Sequence, residues 1–441
     1  MLLKTALRIE PGQTVAFTGA GGKTAAIRRL AGELTRALIT TTTKLGRGQA
    51  DLARHHLIDP TPDELARTPQ LLEQNGTVLV TGPLSEADEK WAAPRPAVLE
   101  SLARFAREAG AALLIEGDGA RGCSVKAPAE HEPVVPEFTN TAVPMAGLDG
   151  LGHRIGSSAV HRPERVAELL GLEPTDTLGP SELARLLSSP HGGLKGVPDE
   201  AQVRILLNKA DPSRLAVGRE ITGQLLENPR IQAVVLGSMQ AENPVMETHG
   251  RVAGIVLAAG GSSRLGQPKQ LVEFRGRPLV WHAVRVGLEA GLSPLVVVIG
   301  AAGERVRRAL EGESVRVIDN PDWKAGQSSS VQAGLSPVES GVEAAIFLLA
   351  DMPLMDSELV RQVVRIHRTS LAPLVAPRVA GRRANPVLFD RVTFPELHRL
   401  EGDQGGRSLF DRYEPAWVEW GESAMLDLDT PNDLQRLRDL E

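Results

Sequence analysis

The sequence has very few cysteines and aromatic residues, and both scarcities exclude classes of site. Cys123 is the only cysteine among 441 residues, so neither an intramolecular disulfide nor a metal cluster held by several cysteines within the chain is possible. A chain without disulfides is typical of a reducing compartment, which predicts a cytoplasmic location. Aromatic residues make up 3% of the chain, too few to predict stacking platforms for single-stranded nucleic acid.

Long apolar runs and an excess of positive charge are also missing. No stretch reaches the ~20 apolar residues that a transmembrane helix needs, and the first residues lack the basic and then apolar pattern of a signal peptide. The formal net charge is -6, so the chain as a whole does not attract nucleic acid or an anionic membrane. Any phosphate binding must therefore be local, built from loops and a few cations.

What the sequence contains is a series of short aliphatic runs, each followed by a turn and a helix-length segment. Such runs are typical of buried parallel strands in α/β units. They lie at 15–18, 37–39, 78–80, 113–115, 205–207 and 234–236, and again at 255–257, 295–299, 315–318 and 346–349. Because the chain is too long for one core, we predict two α/β domains, residues 1–236 and 251–441. The polar, aperiodic residues 237–250 are predicted to link them.

A glycine-rich loop follows the first apolar run of the second half. Its small residues let backbone N–H groups approach a ligand, and its serines add hydroxyl donors. Arg264 and Lys269 flank Gly266 at a spacing that allows both cations to reach one polyphosphate. The alternative is a tight turn with surface cations, but the paired cations favour phosphate binding. The predicted nucleotide-binding residues of this loop are Leu257, Ala258, Ala259, Gly260, Gly261, Ser262 and Ser263.

Further polar residues follow later strands. Asp351 comes directly after the run 346–349, where ligands of open α/β sheets collect, and a carboxylate facing a triphosphate suits Mg²⁺. The alternative is a solvated strand end. Ser328, Ser329 and Ser330 precede a helical pattern, and hydroxyl and N–H groups at a helix start suit an anion or a sugar hydroxyl. Ordinary capping would need only one of these serines.

These motifs, taken in order, resemble the molybdenum cofactor cytidylyltransferases, which are nucleotidyltransferases of Rossmann-like fold. The resemblance covers residues 251–441 and runs through 257–269, 319–323, 326–330, 334–335, 349–353, 385–389, 402–407 and 427–431. It implies that the phosphate of molybdopterin attacks the α-phosphorus of CTP and releases pyrophosphate. Arg264, Lys269 and Asp351 are the implied catalytic residues, with Mg²⁺ held by Asp351 and Asp429. Alternatively, Asp429 only belongs to the turn that leads into a helix whose N-cap is Thr430.

The same resemblance implies an acceptor site. Its residues would be Arg383, Asn385, Asp403 and Arg407, of which Asn385 and Arg407 could equally be a turn residue and a surface residue. Ala259 stands where the related guanylyltransferases tend to have glycine, which favours CTP. Two alternatives stay open: transfer to another phosphorylated acceptor, and a non-catalytic carrier that delivers the cofactor with nucleotide as a switch.

A second glycine loop lies near the start of the chain, between a predicted strand and a predicted helix. Its glycines allow the backbone to surround phosphates, while Lys23 supplies charge and Thr24 a metal ligand. Phe17 departs from the P-loop pattern, and a turn without a ligand is the alternative. The loop predicts ATP or GTP as the ligand. Asn208 to Asp211 match the N-K-x-D pattern that reads guanine, which would favour GTP. The predicted binding residues are Gly19, Gly21, Gly22, Lys23, Thr24, Asp118, Asn208, Lys209 and Asp211.

The first half resembles the YqeC family, accessory proteins of selenium-dependent hydroxylases. The matching segments are 19–24, 41–44, 116–121, 126–133 and 160–163. Residues 126–133 either hold an anion through Lys126 and His131 or form a surface loop, and the spacing of His153 and His161 fits no standard metal motif. Together the resemblances imply a P-loop-like parallel α/β domain followed by a Rossmann-like nucleotidyltransferase domain. The implied role is maturation of molybdenum hydroxylases, whose apoenzyme is the expected partner.

Overall fold

The computed structural model describes residues 1–261, 265, 267–421, 428 and 430–439. The chain divides into two compact units, Met1–His249 and Gly250–Glu441. Each unit is built on a sheet with helices packed on it. Each of the aliphatic runs overlaps a parallel strand, which confirms the predicted α/β class.

The first unit, which the structure describes in full, begins with a short helix and contains fourteen strands and eight α-helices. Its strands are β1 (Thr14–Gly19), β2 (Ala37–Thr41), β3 (Leu45–Gly46), β4 (His55–Ile58), β5 (Thr77–Thr81), β6 (Leu84–Ser85), β7 (Lys90–Trp91), β8 (Ala112–Glu116), β9 (Val125–Lys126), β10 (Thr141–Gly147), β11 (Val160–His161), β12 (Gln202–Asn208), β13 (Ile231–Gly237) and β14 (Val245–Gly250). Its helices are α1 (Leu3–Ala6), α2 (Lys23–Glu33), α3 (Pro62–Ala66), α4 (Thr68–Asn75), α5 (Pro96–Ala109), α6 (Pro163–Leu170), α7 (Pro180–Ser188) and α8 (Leu215–Leu226).

The main sheet of this unit has the order β14-β13-β12-β10-β1-β8-β2-β5-β4. Strands β13 through β4 of this order are parallel, so the carboxyl ends of β1, β8 and β2 meet at one edge. Alternating residues of β1 pack on opposite faces, with Val15 and Phe17 in one apolar cluster and Ala16 in another. Helix α2 covers the first face and helix α5 the second.

The predicted linker 237–250 is wrong in its second half, because Val245–Gly250 forms the edge strand β14 beside β13. Val245 is buried, and its carbonyl oxygen accepts a hydrogen bond from the amino group of Met1 at 3.3 Å. The run contains the polar residues Glu247, Thr248 and His249, all buried, which hid the strand from a search for apolar alternation. Only Arg251 separates β14 from the first strand of the second unit.

The second unit starts directly on its central strand. Its strands are β15 (Val252–Ala258), β16 (Glu273–Phe274), β17 (Arg277–Pro278), β18 (Leu295–Ile299), β19 (Arg316–Asp319), β20 (Ala344–Leu349), β21 (Leu374–Val379), β22 (Arg382–Arg383), β23 (Val387–Asp390) and β24 (Ala416–Glu419). Its helices are α9 (Leu279–Glu289), α10 (Gly303–Ala309), α11 (Gln327–Leu335), α12 (Ser357–Ser370), α13 (Phe394–Leu397) and α14 (Pro431–Arg438).

The main sheet of the second unit has the order β19-β18-β15-β20-β23-β21-β22, with β24 beside β21. Strands β19, β18, β15 and β20 are parallel, whereas β23 runs antiparallel to both of its neighbours. Apolar side chains fill both faces, α9 and α12 packing on one and α11 and α13 on the other. Helix α14 begins as the sequence predicts, because the Thr430 hydroxyl accepts the N–H of Asp433 at 3.3 Å. In the described part of the chain, no helix has the length and apolar character needed to cross a membrane.

Candidate active site

The glycine loop of the second unit and Asp351 leave the same edge of the sheet. Leu257 lies beside Leu349 in the parallel register of β15 and β20, so residues 259–261 and 350–351 emerge side by side. This is the carboxyl edge at which α/β sheets bind ligands. The ammonium group of Lys269 forms an ion pair with the Asp351 carboxylate. The structure therefore brings together two of the three predicted catalytic residues.

A cavity of about 480 Å³ opens at this edge. Its wall contains the predicted Lys269 and Asp351, and also Asp403, which the sequence assigned to the acceptor. The lining residues are Leu257, Ala258, Ala259, Gly260, Gly261, Lys269, Gln270, Trp323, Lys324, Gly326, Gln327, Ser330, Leu349, Ala350, Asp351 and Asp403. The predicted residues Ser262, Ser263, Arg264 and Asp429 lie outside the described residues.

Gln270 holds the glycine loop in place, a role that the sequence did not indicate. Its side chain is buried, and its amide group donates to the carbonyl oxygens of Ala258 and Gly260, each at 3.2 Å. These bonds tie the last residue of β15 to the glycine loop that follows it. The neighbouring Lys269 is thereby kept at the loop. The position of Gln270 directly after Lys269 was the only sign in the sequence of this role.

The three serines lie in the first turn of α11 and have different surroundings. Ser329 Oγ donates to the carbonyl oxygens of Gly326 and Asp322, at 2.9 and 3.0 Å, and so fixes the start of the helix. The buried amide of Asn320 donates to Ser329 Oγ and Ser330 Oγ, at 3.0 and 2.9 Å. Of the three serines, Ser330 lines the cavity. Ser328 is buried, and its N–H donates to the carbonyl oxygen of Gly402.

Gly326 allows the start of α11 to pack against the segment that carries Asp403. Its φ is +109°, and a Cβ there would lie 2.3 Å from the carbonyl carbon and oxygen of Gly402. Only glycine fits this combination of a positive φ and close backbone contact. The close approach brings Asp403 into the wall of the cavity that the glycine loop also lines.

A second cavity, of about 300 Å³, adjoins the first. It contains three of the four predicted acceptor residues, Arg383, Asn385 and Arg407. The two cavities share Leu257, Gln327 and Leu349. The lining residues are Leu257, Gln327, Val331, Phe347, Leu349, Arg382, Arg383, Ala384, Asn385, Val387, Phe389, Leu397, Gly405, Gly406, Arg407 and Phe410.

Charge and aromatic surface meet in this second cavity. The guanidinium of Arg383 stacks 4.4 Å from the centre of the Phe410 ring. Partial burial, and then the charge of Arg407, lower the pKa of Arg383, so the two guanidinium groups lie close enough to repel each other. An anion between them would relieve this repulsion. Arg382 and Phe410, which the sequence analysis did not select, extend this surface.

Leu428, which precedes the predicted second metal ligand Asp429, is hydrogen-bonded to Asp351. Leu428 is fully buried, and its N–H donates to the carbonyl oxygen of Asp351 at 3.1 Å. Asp427 and Asp429, its chain neighbours, lie outside the described residues. The backbone bond places Leu428 itself beside Asp351.

The glycine loop of the first unit packs closely on β10. The N–H groups of Ala20 and Gly21 donate to the carbonyl oxygens of Met145 and Cys123, at 2.9 and 3.0 Å. A Cβ on Gly21 would lie 2.2 Å from the nitrogen of Gly147. This packing accounts for the glycine, and its N–H does not face a phosphate as the sequence analysis expected.

Lys23, the first residue of α2, is buried in a network of charges. Its ammonium group donates to the Gly19 carbonyl oxygen at 2.6 Å and pairs with Asp118 at 3.2 Å. Asp118 also forms an ion pair with Lys126 at 2.8 Å and accepts a hydrogen bond from the N–H of Gly19 at 3.1 Å. Asp118 is therefore the counter-ion of two lysines. The N–H of Gly19, which was expected to bind phosphate, is bonded to Asp118 instead.

Glu132 connects this network to the segments that follow. It accepts hydrogen bonds from Lys126 at 2.9 Å and from Arg162 at 2.8 Å. Burial alone would raise the pKa of Glu132, but the bonds from Arg162 and Lys126 lower it to about 2. Lys126 is thereby bound internally, and it does not line the cavity described next.

The segments that resemble YqeC surround one cavity, of about 550 Å³, at the start of α2. Because the first N–H groups of a helix have no acceptor within it, this end of α2 suits an anion. His131 and His161, whose roles the sequence left open, both line the cavity. Its lining residues are Gly22, Lys23, Thr24, Thr43, Lys44, Gly46, Gln49, Lys90, Glu116, Gly119, Ala120, Arg121, Gly122, Cys123, His131, Glu132, His161 and Arg162.

The N-K-x-D segment lies outside this cavity. The side-chain amide of Asn208 donates a hydrogen bond to the Gly21 carbonyl oxygen at 2.7 Å and so holds the glycine loop in place. Lys209 pairs with Asp149 at 2.8 Å. Asp211 is exposed and pairs with Arg214. The predicted reading of guanine by Asp211 thus gains no support from this geometry.

Comparison with known proteins divides the chain in the same way. A family model of the YqeC protein matches residues 15–164, and one of the MobA-like NTP transferase domain matches residues 254–416. The chain is 31% identical over 246 residues to YqeC of Escherichia coli (strain K12), covering 53% of this chain and 89% of the relative. It is 33% identical over 198 residues to nicotine blue oxidoreductase of Paenarthrobacter nicotinovorans, covering 42% and 96%.

A solved structure, Rv0371c from Mycobacterium tuberculosis H37Rv, is 29% identical. The match has a TM-score of 0.39 and covers 43% of this chain and 98% of that one. The family matches fall on the two units described above, and the glycine loop and Asp351 lie within the second match. The chain therefore belongs to both families, joining a YqeC domain to a MobA-like NTP transferase domain, and its second unit is a nucleotidyltransferase.

Proposed function

We propose that the second unit transfers a cytidylyl group from CTP to the phosphate of molybdopterin and releases pyrophosphate. The observation that carries this proposal is the pair of adjoining cavities that share Leu257, Gln327 and Leu349. The larger one, beside the glycine loop, takes the nucleotide. The smaller one, with three arginines and several phenylalanines, takes an anionic acceptor with a flat ring system.

In this proposal the residues act by position and charge. Lys269 neutralises the polyphosphate, and the small residues 259–261 let it approach the backbone. Arg383 and Arg407 hold the acceptor phosphate, whose oxygen forms the new bond to the α-phosphorus as the bond to pyrophosphate breaks. A phosphate monoester is already ionised near neutral pH, so no side chain has to remove a proton.

Mg²⁺ fits the acids at this edge of the sheet, where Asp351 and Asp403 line the nucleotide cavity. Carboxylates together with phosphate oxygens are ligands that this hard cation prefers. Asp351 would hold it, with Asp429 as the proposed second ligand. When bound, Mg²⁺ would neutralise charge that develops on the phosphates. The ammonium group of Lys269 forms an ion pair with the same carboxylate.

For the first unit we propose binding of a nucleotide, ATP or GTP, at the start of α2. The supporting features are Lys23, Thr24 and the cations Lys44, Lys90 and Arg121 around the cavity. The whole chain would then act in the cytoplasm in the maturation of a molybdenum hydroxylase, whose apoenzyme receives the product.

The transfer is tested by incubating the full chain with molybdopterin and each of the four ribonucleoside triphosphates. Mass spectrometry should find the cytosine dinucleotide of the pterin, together with one pyrophosphate per product. A dinucleotide with another base would contradict the choice of CTP. Product from a sugar phosphate or alcohol phosphate, but not from molybdopterin, would favour transfer to another acceptor. Binding of molybdopterin without any release of pyrophosphate would favour the carrier.

A further inference from the structure

Glu116 is a buried carboxylate at the edge of the nucleotide cavity of the first unit. It ends β8, is 8% exposed, and lines the cavity beside Thr24. Its side chain accepts one long hydrogen bond, 3.4 Å from Thr24 Oγ1. Across Met1–His249, all of which the structure describes, no lysine or arginine forms an ion pair with it. An unpaired buried charge costs free energy, and a cation bound beside this carboxylate would offset that cost.

Asp118, only two residues further on, has the opposite surroundings. Lys23, Lys126 and the N–H of Gly19 all contact its carboxylate, so two cations of the protein already face its charge. Asp118 does not line the cavity, whereas Glu116 does. The expectation that Asp118 binds the ligand is therefore replaced by a positioning role, in which Asp118 holds Lys23.

We propose that Glu116 and Thr24 hold a divalent cation, Mg²⁺ or Mn²⁺, that enters the cavity together with a nucleoside polyphosphate. A carboxylate and a hydroxyl oxygen, completed by water and phosphate oxygens, form a usual ligand set for such a cation. Gln49 Nε2 donates to Thr24 Oγ1 at 2.5 Å and so orients this hydroxyl. The inference rests on the proposed nucleotide binding by the first unit and adds the metal ligands to it.

Binding of Mn²⁺ in the presence of ADP tests the site in the full chain. The loss of the electron paramagnetic resonance signal of free Mn²⁺ counts the bound ions. All variants also carry Asp351→Asn, which removes the proposed metal ligand of the second unit. Adding Glu116→Gln, which keeps the side-chain volume, should remove about one bound Mn²⁺ per chain or weaken its binding by at least about ten-fold. Thr24→Val should weaken it by about ten-fold.

Glu132→Gln is the matched control, because Glu132 lines the same cavity but is already paired with Lys126 and Arg162. Its variant should retain the Mn²⁺. Equal loss in the Glu116 and Glu132 variants, or no loss in a Glu116→Gln chain with unchanged circular dichroism, would overturn the cation site. If Glu116→Gln removes Mn²⁺ equally with and without ADP, and radiolabelled ADP does not bind to the first unit, the cation site stands and the nucleotide proposal fails.

Discussion

Asp351 and Lys269 neutralise each other at the carboxyl edge of the second sheet. If Asp351 holds the metal, Asp351→Asn should lower kcat by about 100-fold or more, because a group that stabilises charge in the transition state is lost. The fold should persist, since the substitution keeps the volume and the backbone bond to Leu428. Steady-state release of pyrophosphate measures the effect.

Asp319→Asn is the control for that measurement. Asp319 is an exposed carboxylate of the same unit that pairs with Arg307 and lines neither cavity. This variant should keep nearly full activity. Comparable rates for the Asp351 and Asp319 variants at ordinary Mg²⁺ concentration would contradict the role of Asp351.

Arg383 and Arg378 offer a matched pair for the acceptor site. Both guanidinium groups stack on an aromatic ring, Arg383 on Phe410 and Arg378 on Trp417, at 4.4 and 5.5 Å. Arg383 lines the acceptor cavity and Arg378 does not. Arg383→Met should raise the KM for molybdopterin about ten-fold or more with little change in the KM for CTP, whereas Arg378→Met should change neither. An increase in the KM for CTP alone would place Arg383 on the nucleotide side.

Glu132 gives the first unit a pH-dependent contribution to stability. Its pKa is lowered from 4.5 to about 2 on folding, so the contribution is present above about pH 4.5 and is lost as the pH falls towards 2. Glu132→Gln should lower the free energy of unfolding at neutral pH and flatten its decline in acid. Urea unfolding at a series of pH values measures both, with the exposed Glu130→Gln as control. Parallel pH profiles of wild type and Glu132→Gln would contradict the assignment.

At the scale of elements, the start of α11 depends on the backbone contact between Gly326 and Gly402. Gly326→Ala should lower the free energy of unfolding by about 1–3 kcal/mol and raise the KM for CTP, because the shift would displace Asp403 from the cavity wall. Gly341→Ala, where a Cβ would meet open space, should do neither. Thermal unfolding and initial rates test the pair; equal behaviour of the two variants would show that the contact is not required.

The strands that contain an unbroken aliphatic run, and the glycine loops, could be predicted from the sequence because their signals are local. β10 was missed because Pro144 interrupts its apolar pattern, although the strand lies beside β1 at the centre of its sheet. A proline has no N–H for the ladder, and β10 pairs with β12 only on either side of Val143 and Pro144.

Contacts between distant residues explain what else was missed. The bonds of Asn320 to the serines of α11, and the pairing of Asp118 with Lys126, depend on the folded chain and leave no spacing signal. Arg383 and Arg407 were predicted to bind the acceptor through resemblance alone, because neither lies in a motif with a chemistry of its own. The structure adds their common cavity.

At the scale of the whole molecule, the two units should function separately when the chain is divided after Gly250. A fragment of residues 251–441 should make the dinucleotide as fast as the full chain, since both cavities of the transferase lie within it. In the full chain, Lys23→Ala should leave this activity unchanged. A fragment that folds, as judged by circular dichroism, but does not release pyrophosphate would show that the first unit contributes to transfer.

The edge strand β14 determines how the first unit can be truncated. A fragment that ends at Leu236 lacks β14 and leaves the backbone groups of β13 unpaired along an almost fully buried apolar strand. Exposed edges of this kind pair with other chains, so such a fragment should aggregate on expression. Ending at Gly250 instead retains β14, which carries the buried, charged Glu247 paired with Arg219. By pairing with β13, this strand therefore prevents the sheet from pairing with a second copy of the chain at that edge.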